Sequence, residues 1–393
     1  MAHPTIRLRP KEGRRARHGA PWIFSNEIEM TPKTKALAPG TLVNVLGADD
    51  RDFGTGYFNP RSLIAVRLLD RAKDAPIDAA FLSARLRRAL ALRGALYDTP
   101  FYRLVHSEAD GLPGLTIDRF DDALSVQITT AGMEALLDPL LAALKEVLAP
   151  KTIMLRNDAP ARALEGLESY VRLAQGEAGR IAVEENGVRY LADLGHGQKS
   201  GWYYDQRDNH AFMAALAKDR GVLDLYCYAG GFALAAAKAG AKEVTGIDSS
   251  ASALALAEEA AAVNRLSART TFVKADVFEE LERLGAAGEA FGVVIADPPP
   301  FVKSKKDLEP GAKVYRKLAR LAAAVTAPGG FLFLASCSHN MPKERFLEES
   351  AAGILRAGRR ASVIREAGAG PDHPVHPALP ETAYLKALVF ALD

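Results

Sequence analysis

Four carboxylates, two adjacent glycines and a thiol stand at one kind of place in this sequence, at or just beyond short apolar runs. Val222-Leu-Asp-Leu-Tyr226 reads as a buried strand carrying Asp224, and it leads into Cys227-Tyr-Ala-Gly-Gly-Phe232. There Gly230 and Gly231 let a ligand approach the backbone closely at a helix N-terminus. Glu243-Val-Thr-Gly-Ile247 is followed by Asp248, placed to accept hydrogen bonds from a ribose diol, and Thr271-Phe-Val-Lys274 by Asp276 and Val277. Gly292-Val-Val-Ile-Ala296 runs into Asp297-Pro-Pro-Pro-Phe301, and Gly330-Phe-Leu-Phe-Leu-Ala335 into Ser336-Cys-Ser-His-Asn340. In open α/β sheets ligands sit beyond the carboxyl ends of the strands, so these residues share one candidate site. The plain alternative is that the acids cap helices and the prolines stiffen a turn.

The thiol has a specific use in such a place. Carbon 5 of a pyrimidine is too weak a nucleophile to take a methyl group directly. A thiolate adding to carbon 6 moves electron density onto carbon 5, which then attacks an electrophilic methyl; loss of the carbon-5 proton expels the thiolate. Cys337 follows the strand next to Asp297-Pro-Pro, in the right neighbourhood for that role, and Asp297 could bind the N3/N4 edge of a cytosine extruded from its stack. Methylation of a base nitrogen would need the acid and the prolines but no thiol. A packed thiol is the alternative for Cys337, and packing is the expected role of Cys227 inside the glycine loop.

A glycine loop followed by an acid is shared with dinucleotide enzymes, but this loop is not G-x-G-x-x-G, and it carries Asp224 upstream and Asp276 downstream. The set resembles the S-adenosylmethionine-dependent methyltransferases of the Rossmann-like class. The resemblance implies that the loop with Tyr226, Ala229, Gly230 and Gly231 wraps the methionine part, that Asp248 and Ser249 hold the ribose, and that Asp276 and Val277 meet the adenine. Lys199, Asp205 and Arg207 precede the first strand, where this class closes over the cofactor; Arg207 could pair with the methionine carboxylate, or form a surface salt bridge.

The elements that must position these groups follow from periodicity. Beyond Gly187 strands alternate with helices, including Phe232–Lys238, Ala251–Asn264 and about Val314–Val325, which predicts a doubly wound parallel sheet. Residues 73–185 read as a compact α+β unit: a helix from Ala79 to about Arg93, strands Leu115–Arg119 and Ala123–Ile128, a helix about Glu134–Leu148 and a strand Thr152–Arg156. Residues 1–72 read as a small β-barrel, with runs such as Thr41–Leu46 and Leu63–Leu69 punctuated by Gly40, Gly47, Gly54, Gly56 and Pro60. The fold class is therefore α/β, with three domains at 1–72, 73–185 and 186–393.

Composition limits the options. The chain has 393 residues, 48% hydrophobic and 25% charged, with a formal charge of only +2, so any nucleic-acid surface must be local. Two such patches exist, each with an excess of five positive charges. The first 35 residues hold Arg14, Arg15 and Arg17 beside Trp22 and Phe24, a composition suited to phosphates and a stacked base. Phe301–Arg320 carries Lys303, Lys305, Lys306, Lys313, Arg316, Lys317 and Arg320 against Asp307 and Glu309. A solvated basic face is the alternative for both. Two cysteines exclude a disulfide framework or a cysteine-built zinc site. His373 and His376 lack an evident third ligand, so no metal is expected. The charged N-terminus has no secretory apolar stretch and no run is long enough to span a membrane, so the cytoplasm is the expected compartment.

The whole chain resembles the bacterial 23S ribosomal RNA cytosine-5 methyltransferases with an N-terminal PUA domain. His18-Gly-Ala-Pro-Trp-Ile-Phe-Ser25 and Gly54-Thr-Gly-Tyr-Phe-Asn59 resemble the PUA module, and Glu108-Ala-Asp-Gly-Leu-Pro-Gly-Leu-Thr-Ile-Asp118 the central domain. Gly197-Gln-Lys-Ser-Gly-Trp-Tyr-Tyr-Asp-Gln-Arg207, Asp297-Pro-Pro-Pro-Phe301 and Ser336-Cys-Ser338 resemble the catalytic domain. The resemblance implies S-adenosylmethionine as cofactor, 23S ribosomal RNA or a large-subunit precursor as substrate, Cys337 as nucleophile, and an RNA-binding role for the basic arm. Relatives that use two cysteines carry Pro-Cys where this chain has Pro298-Pro299, so a single thiol serves and adduct release relies on another group. An RNA-binding assembly factor with a vestigial cofactor site is the alternative outside catalysis. A homodimer is compatible with the sequence.

Overall fold

The computed structural model describes every residue except Met1, His196, Gln198, Lys199 and Ser200; the expectation for Lys199 lies outside the described residues. The chain divides into two compact units. The first is Met1–Gly179 with Asp193–Trp202 and Pro371–Pro380; the second is Arg180–Ala192 with Tyr203–Gly370 and Glu381–Asp393. The boundary expected between 185 and 186 falls in the turn of a hairpin, Arg180–Glu185 with Val188–Asp193, and Pro371–Pro380 returns to the first unit.

The first unit holds two five-stranded sheets. One runs in the order Thr5–Arg7, Thr41–Leu46, Asp52–Phe58, Val66–Asp70, Trp22–Ile23, over a core of Ile6, Leu8, Val43, Val45, Phe53 and Phe58. The expected strand from Leu63 begins only at Val66, and Leu63 is exposed. The other sheet runs Tyr170–Gln175, Thr152–Asn157, Ala123–Ile128, Leu115–Phe120, Phe101–His106. Its first and last strands carry no clean alternation and were not expected. The helix expected over 134–148 is two helices, Ala131–Ala135 and Leu137–Leu148, the first capped by the Thr130 hydroxyl.

The signature Glu108–Asp118 explains itself in this unit. Asp110 takes two bonds from the fully buried Arg93, 2.6 and 2.8 Å, and one from the His106 N–H at 2.6 Å. Asp118 clamps Arg103 in the same bidentate way. Gly111 and Gly114 take left-handed backbone, and at Gly114 a Cβ would strike the Thr130 side chain at 2.3 Å. The motif is a set of buried ion pairs around a tight turn.

The second unit is a seven-stranded sheet: β1 (Gly221–Leu225), β2 (Glu243–Asp248), β3 (Thr270–Lys274), β4 (Phe291–Ala296), β5 (Thr326–Ser336), β6 (Ala361–Ala367) and β7 (Lys386–Leu392). The order is β3-β2-β1-β4-β5-β7-β6, parallel from β3 to β5, with β7 antiparallel to both neighbours. The strand order reverses between β1 and β4, which opens a crevice at their carboxyl ends. Crossover helices include Gly231–Lys238, Ala251–Val263, Val277–Ala286 and Leu308–Ala324. The last begins six residues before the expected Val314. Pro310 lies in its first turn, where its missing N–H leaves no bond unmade, and Gly311 admits the Phe301 carbonyl, 2.6 Å from where a Cβ would stand. Among the described residues no helix is long and apolar enough to cross a membrane.

Asp110→Ala leaves the buried Arg93 guanidinium without its bidentate partner. It should cost about 3–5 kcal/mol of stability, read as a lowered denaturant midpoint.

Candidate active site

Between β1 and the helix Gly231–Lys238 the backbone alternates in hand. Tyr226, Tyr228 and Gly230 have φ of +62°, +49° and +81°. Two tyrosines in the left-handed region store strain that a packed surrounding must hold, a pattern found at ligand clamps. Gly230 caps the helix, and a Cβ there would press on Ala257 and Leu234 at 3.2 Å.

Three carboxylates converge on this loop. Asp224 is 1% exposed; one oxygen accepts the Ala233 N–H at 2.9 Å, and the other has no hydrogen-bond partner among the described residues. Burial first, then the neighbouring Asp297 and Asp248 charges, push its carboxyl well above the ordinary carboxylate range. Asp248, half-buried, accepts from the N–H groups of Tyr228 at 3.0 Å and Ser250 at 2.8 Å, so it ties the loop to the end of β2. Asp276 is exposed and caps the helix Val277–Ala286, one of its oxygens accepting from Phe278 and Glu279. The bland reading of capping thus holds for that oxygen. The Tyr226 ring packs on the sheet core; burial raises its phenol, and Asp276 and Asp248 add to the shift. Ser249 is exposed and Ala229 buried, whereas the Val277 side chain belongs to the core.

A strained cradle, an orphaned buried carboxylate oxygen and a half-exposed acid after β2 form a donor and acceptor set that fits the amino-acid and ribose parts of S-adenosylmethionine.

Cys337 and Asp297 leave neighbouring strands on the other side of the crevice. The Cys337 Sγ lies 3.9 Å from the Pro298 carbonyl. The serines on either side fix the turn: Ser336 Oγ donates to the Tyr315 phenol at 2.8 Å, that phenol lies 3.0 Å from Ser338 Oγ, and Ser338 Oγ accepts the Val302 N–H at 3.2 Å. Asn340 donates to the Lys303 carbonyl at 3.1 Å. The Ser-Cys-Ser turn and the Asp-Pro-Pro segment are therefore stitched together around the thiol. Asp297 accepts from Gln206 Nε2 at 2.8 Å, and the Gln206 carbonyl accepts from Asn209 at 2.6 Å, which fixes which end of the amide faces the acid. Tyr203 stacks edge-on to Tyr228; burial raises its phenol first, with Tyr228, Asp205, Asp297 and Cys337 close enough to add to the shift.

Other expected residues sit differently. Arg207 is buried with its Nε 3.5 Å from Glu185, which also meets His210 Nδ1 at 2.6 Å, so the alternative of a surface salt bridge gives way to a buried one. Asp205 accepts from the Tyr384 hydroxyl at 2.6 Å. Cys227 is buried, its thiol pushed well up by burial, and a Cβ on Gly246 would come within 3.0 Å of its sulfur, as packing predicts. Sequence reasoning missed Tyr203, Gln206 and Asn209 as individual residues, and Lys386 altogether; the first two lay in a motif quoted without roles.

The basic patches are smaller than their composition. In the second unit Lys303, Lys305 and Lys306 are exposed, but Arg316 pairs with Glu349 and Lys317 with Glu282. In the first unit Arg14, Arg15 and Arg17 are exposed, Arg17 bonding Asp49 at 3.2 Å and Arg15 lying over Phe24. Trp22 is half-buried: its indole N–H donates to Glu108 at 2.8 Å and Arg67 stacks on its ring. Its place is in the packing of the turn, which limits it as a platform for a base. His373 meets Asp372, and the described residues contain no cluster suited to a metal ion.

Residues 6–71 match the PUA-like domain family and residues 169–391 the S-adenosylmethionine-dependent methyltransferase family. The chain is 38% identical to ribosomal RNA large subunit methyltransferase I of Shewanella denitrificans, over 98% of each chain. It is 37% identical to the protein of the same name from Pseudoalteromonas atlantica, over 94% of each. In fold it is similar to a candidate S-adenosylmethionine-dependent methyltransferase from Streptococcus mutans, with a TM-score of 0.82 at 20% identity, covering 99% of this chain and 100% of that one.

Asp224→Asn keeps an acceptor for Ala233 and removes the ionisable group. The fold favours the neutral carboxyl, so wild type should lose stability relative to the variant as pH rises above about 4 through the raised native value. Denaturant midpoints at pH 5 and 8 should show the gap widening toward pH 8; a gap independent of pH would contradict this.

Proposed function

The chain belongs to the S-adenosylmethionine-dependent methyltransferase family, among relatives named ribosomal RNA large subunit methyltransferase I, and on that footing we propose that it methylates carbon 5 of a cytosine in 23S ribosomal RNA through a covalent adduct at Cys337. The observation that carries this reading is the Cys337 sulfur held between two anchored serines at 3.9 Å from the carbonyl that follows Asp297. A base-nitrogen methyltransferase has no use for a thiol in that place.

S-adenosylmethionine supplies, when bound, an electrophilic methyl group. The left-handed backbone from Tyr226 to Gly230 receives its amino-acid part, Asp248 its ribose diol, and the Asp276 turn its adenine. The Cys337 thiolate adds to carbon 6 of the extruded cytosine, forming a C–S bond as the electrons of the 5,6 double bond move to carbon 5. Asp297, oriented by Gln206, holds the N3/N4 edge and shares a proton there, so that the ring does not carry a full negative charge in the adduct. Once carbon 5 is methylated, its proton passes to a base, the C–S bond breaks and the thiolate is recovered. Pro298-Pro299 offers no second thiol, so one sulfur both enters and leaves.

Arg14, Arg15, Arg17, Lys303, Lys305 and Lys306 are exposed cations suited to RNA phosphates, with affinity falling steeply as salt rises. The proposed setting is the bacterial cytoplasm, where ribosomal RNA is modified and both free thiols stay reduced.

Cys337→Ala should lower 5-methylcytidine formation in 23S RNA by at least about 10³-fold, read by nucleoside mass spectrometry, while calorimetry shows cofactor affinity within about two-fold of wild type. Methyl found on a base nitrogen, or turnover retained in the variant, overturns the covalent reading.

A further inference from the structure

The first residue of β7, Lys386, stands opposite Ser336 in the pairing with β5. Its side chain reaches along the turn that carries the thiol: Nζ donates to the Ser338 carbonyl at 2.6 Å and to the Met341 carbonyl at 3.0 Å. Those two carbonyls bracket the loop that follows Cys337, so one ammonium gathers both ends of it. Lys386 is half-buried, and among the described residues it pairs with no carboxylate. A cation drawn out of water with only carbonyl dipoles for company calls for a counter-charge nearby.

The groups facing the thiol identify that counter-charge. Tyr203 comes from the segment before the helix Arg207–Leu216 and Tyr315 from the helix Leu308–Ala324, while Asp297 precedes Pro298, whose carbonyl the thiol meets. His339 follows in the same turn, with Tyr384 against its ring at 5.4 Å. Of these groups and Lys386, the lysine brings the positive charge. Burial lowers its ammonium to about 8, and the Cys337 charge acts in the opposite direction. Such a coupling works both ways: a thiolate that holds the proton on Lys386 is itself favoured by the lysine charge.

We propose that Lys386 is the positioning residue of the nucleophile: it pins the Ser338–Met341 turn by two backbone carbonyls and supplies the charge that favours the Cys337 thiolate. The inference rests on Cys337 being the nucleophile, and it assigns a strand residue 49 positions later to the same step. A neutral donor such as Gln could hold one of the carbonyls but would not favour the thiolate.

The test reads the thiol directly, without RNA or turnover. The full chain is alkylated with iodoacetamide across pH 6–10, and peptide mass spectrometry follows Cys337, with the buried Cys227 as a slow internal reference. In Lys386→Met the midpoint of the Cys337 alkylation profile should move up by about one pH unit or more. In Lys386→Arg, which stays charged across the whole scan, it should lie no higher than in wild type. If Lys386→Met does not fold, Lys386→Gln serves the same comparison. A lysine that only holds the turn would change the plateau rate and leave the midpoint where it is, and that result overturns the proposal. Because the midpoint does not depend on which atom of RNA is methylated, a Cys337→Ala enzyme that stays active would sink the covalent reading separately.

Discussion

The parallel pairing of β1 with β4 is the constraint on which the rest of the second unit depends. Leu225 lies opposite Ala296, so the two chains leave the sheet in step and Asp297 emerges beside the turn that begins at Tyr226. Because the sheet order reverses at this pair, no helix crosses over the crevice, and the backbone beyond both strands is free to take irregular shapes. The left-handed residues of one loop and the prolines of the other are two ways of using that freedom. One curls the chain around a ligand, and the other holds it straight so that an acid and a carbonyl keep their direction. β5, next along, brings the thiol to the same edge.

The electrostatics follow from that convergence. Burial raises the Asp224 carboxyl, and the neighbouring Asp297 and Asp248 charges add to that rise. The two cysteines show the same physics from the other side. Cys227 sits among acids and apolar atoms, which holds its thiol protonated, while Cys337 shares its surroundings with a lysine and with groups that donate to its turn. Two thiols in one sheet thus have opposite surroundings, one buried among acids and one beside a lysine, and the proposed chemistry uses the second.

Much of the second unit was legible in the sequence, because parallel strands buried on both faces leave apolar runs with a polar residue at or near each end. The four acids, the glycine pair and Cys337 all stand where that reading puts them. What sequence could not supply was partnership. Arg207 has the type and place of a carboxylate binder, yet Glu185, from a hairpin with no strong pattern, lies against it. Trp22 resembles a stacking platform, yet its N–H is taken by Glu108. Lys386 has no local motif at all, since its importance comes from an antiparallel register that joins distant segments. The edge strands Phe101–His106 and Tyr170–Gln175 escaped for a different reason: they pack unevenly on their two sides and alternate poorly.

The place of β7 in the sheet has a consequence for the order of assembly. β6 precedes it in the chain but lies outside it, paired through β7 alone, so β6 has no edge to join until β7 has docked on β5. Cys337, its flanking serines and all four acids are encoded before residue 340, on or just beyond five strands that pair in parallel. The edge of β5 that presents the thiol stays raw, however, until Lys386 and its strand arrive from far along the chain. Completing the edge that carries Cys337 thus depends on a contact between segments about 50 residues apart, which ties this end of the sheet to the last strand of the chain.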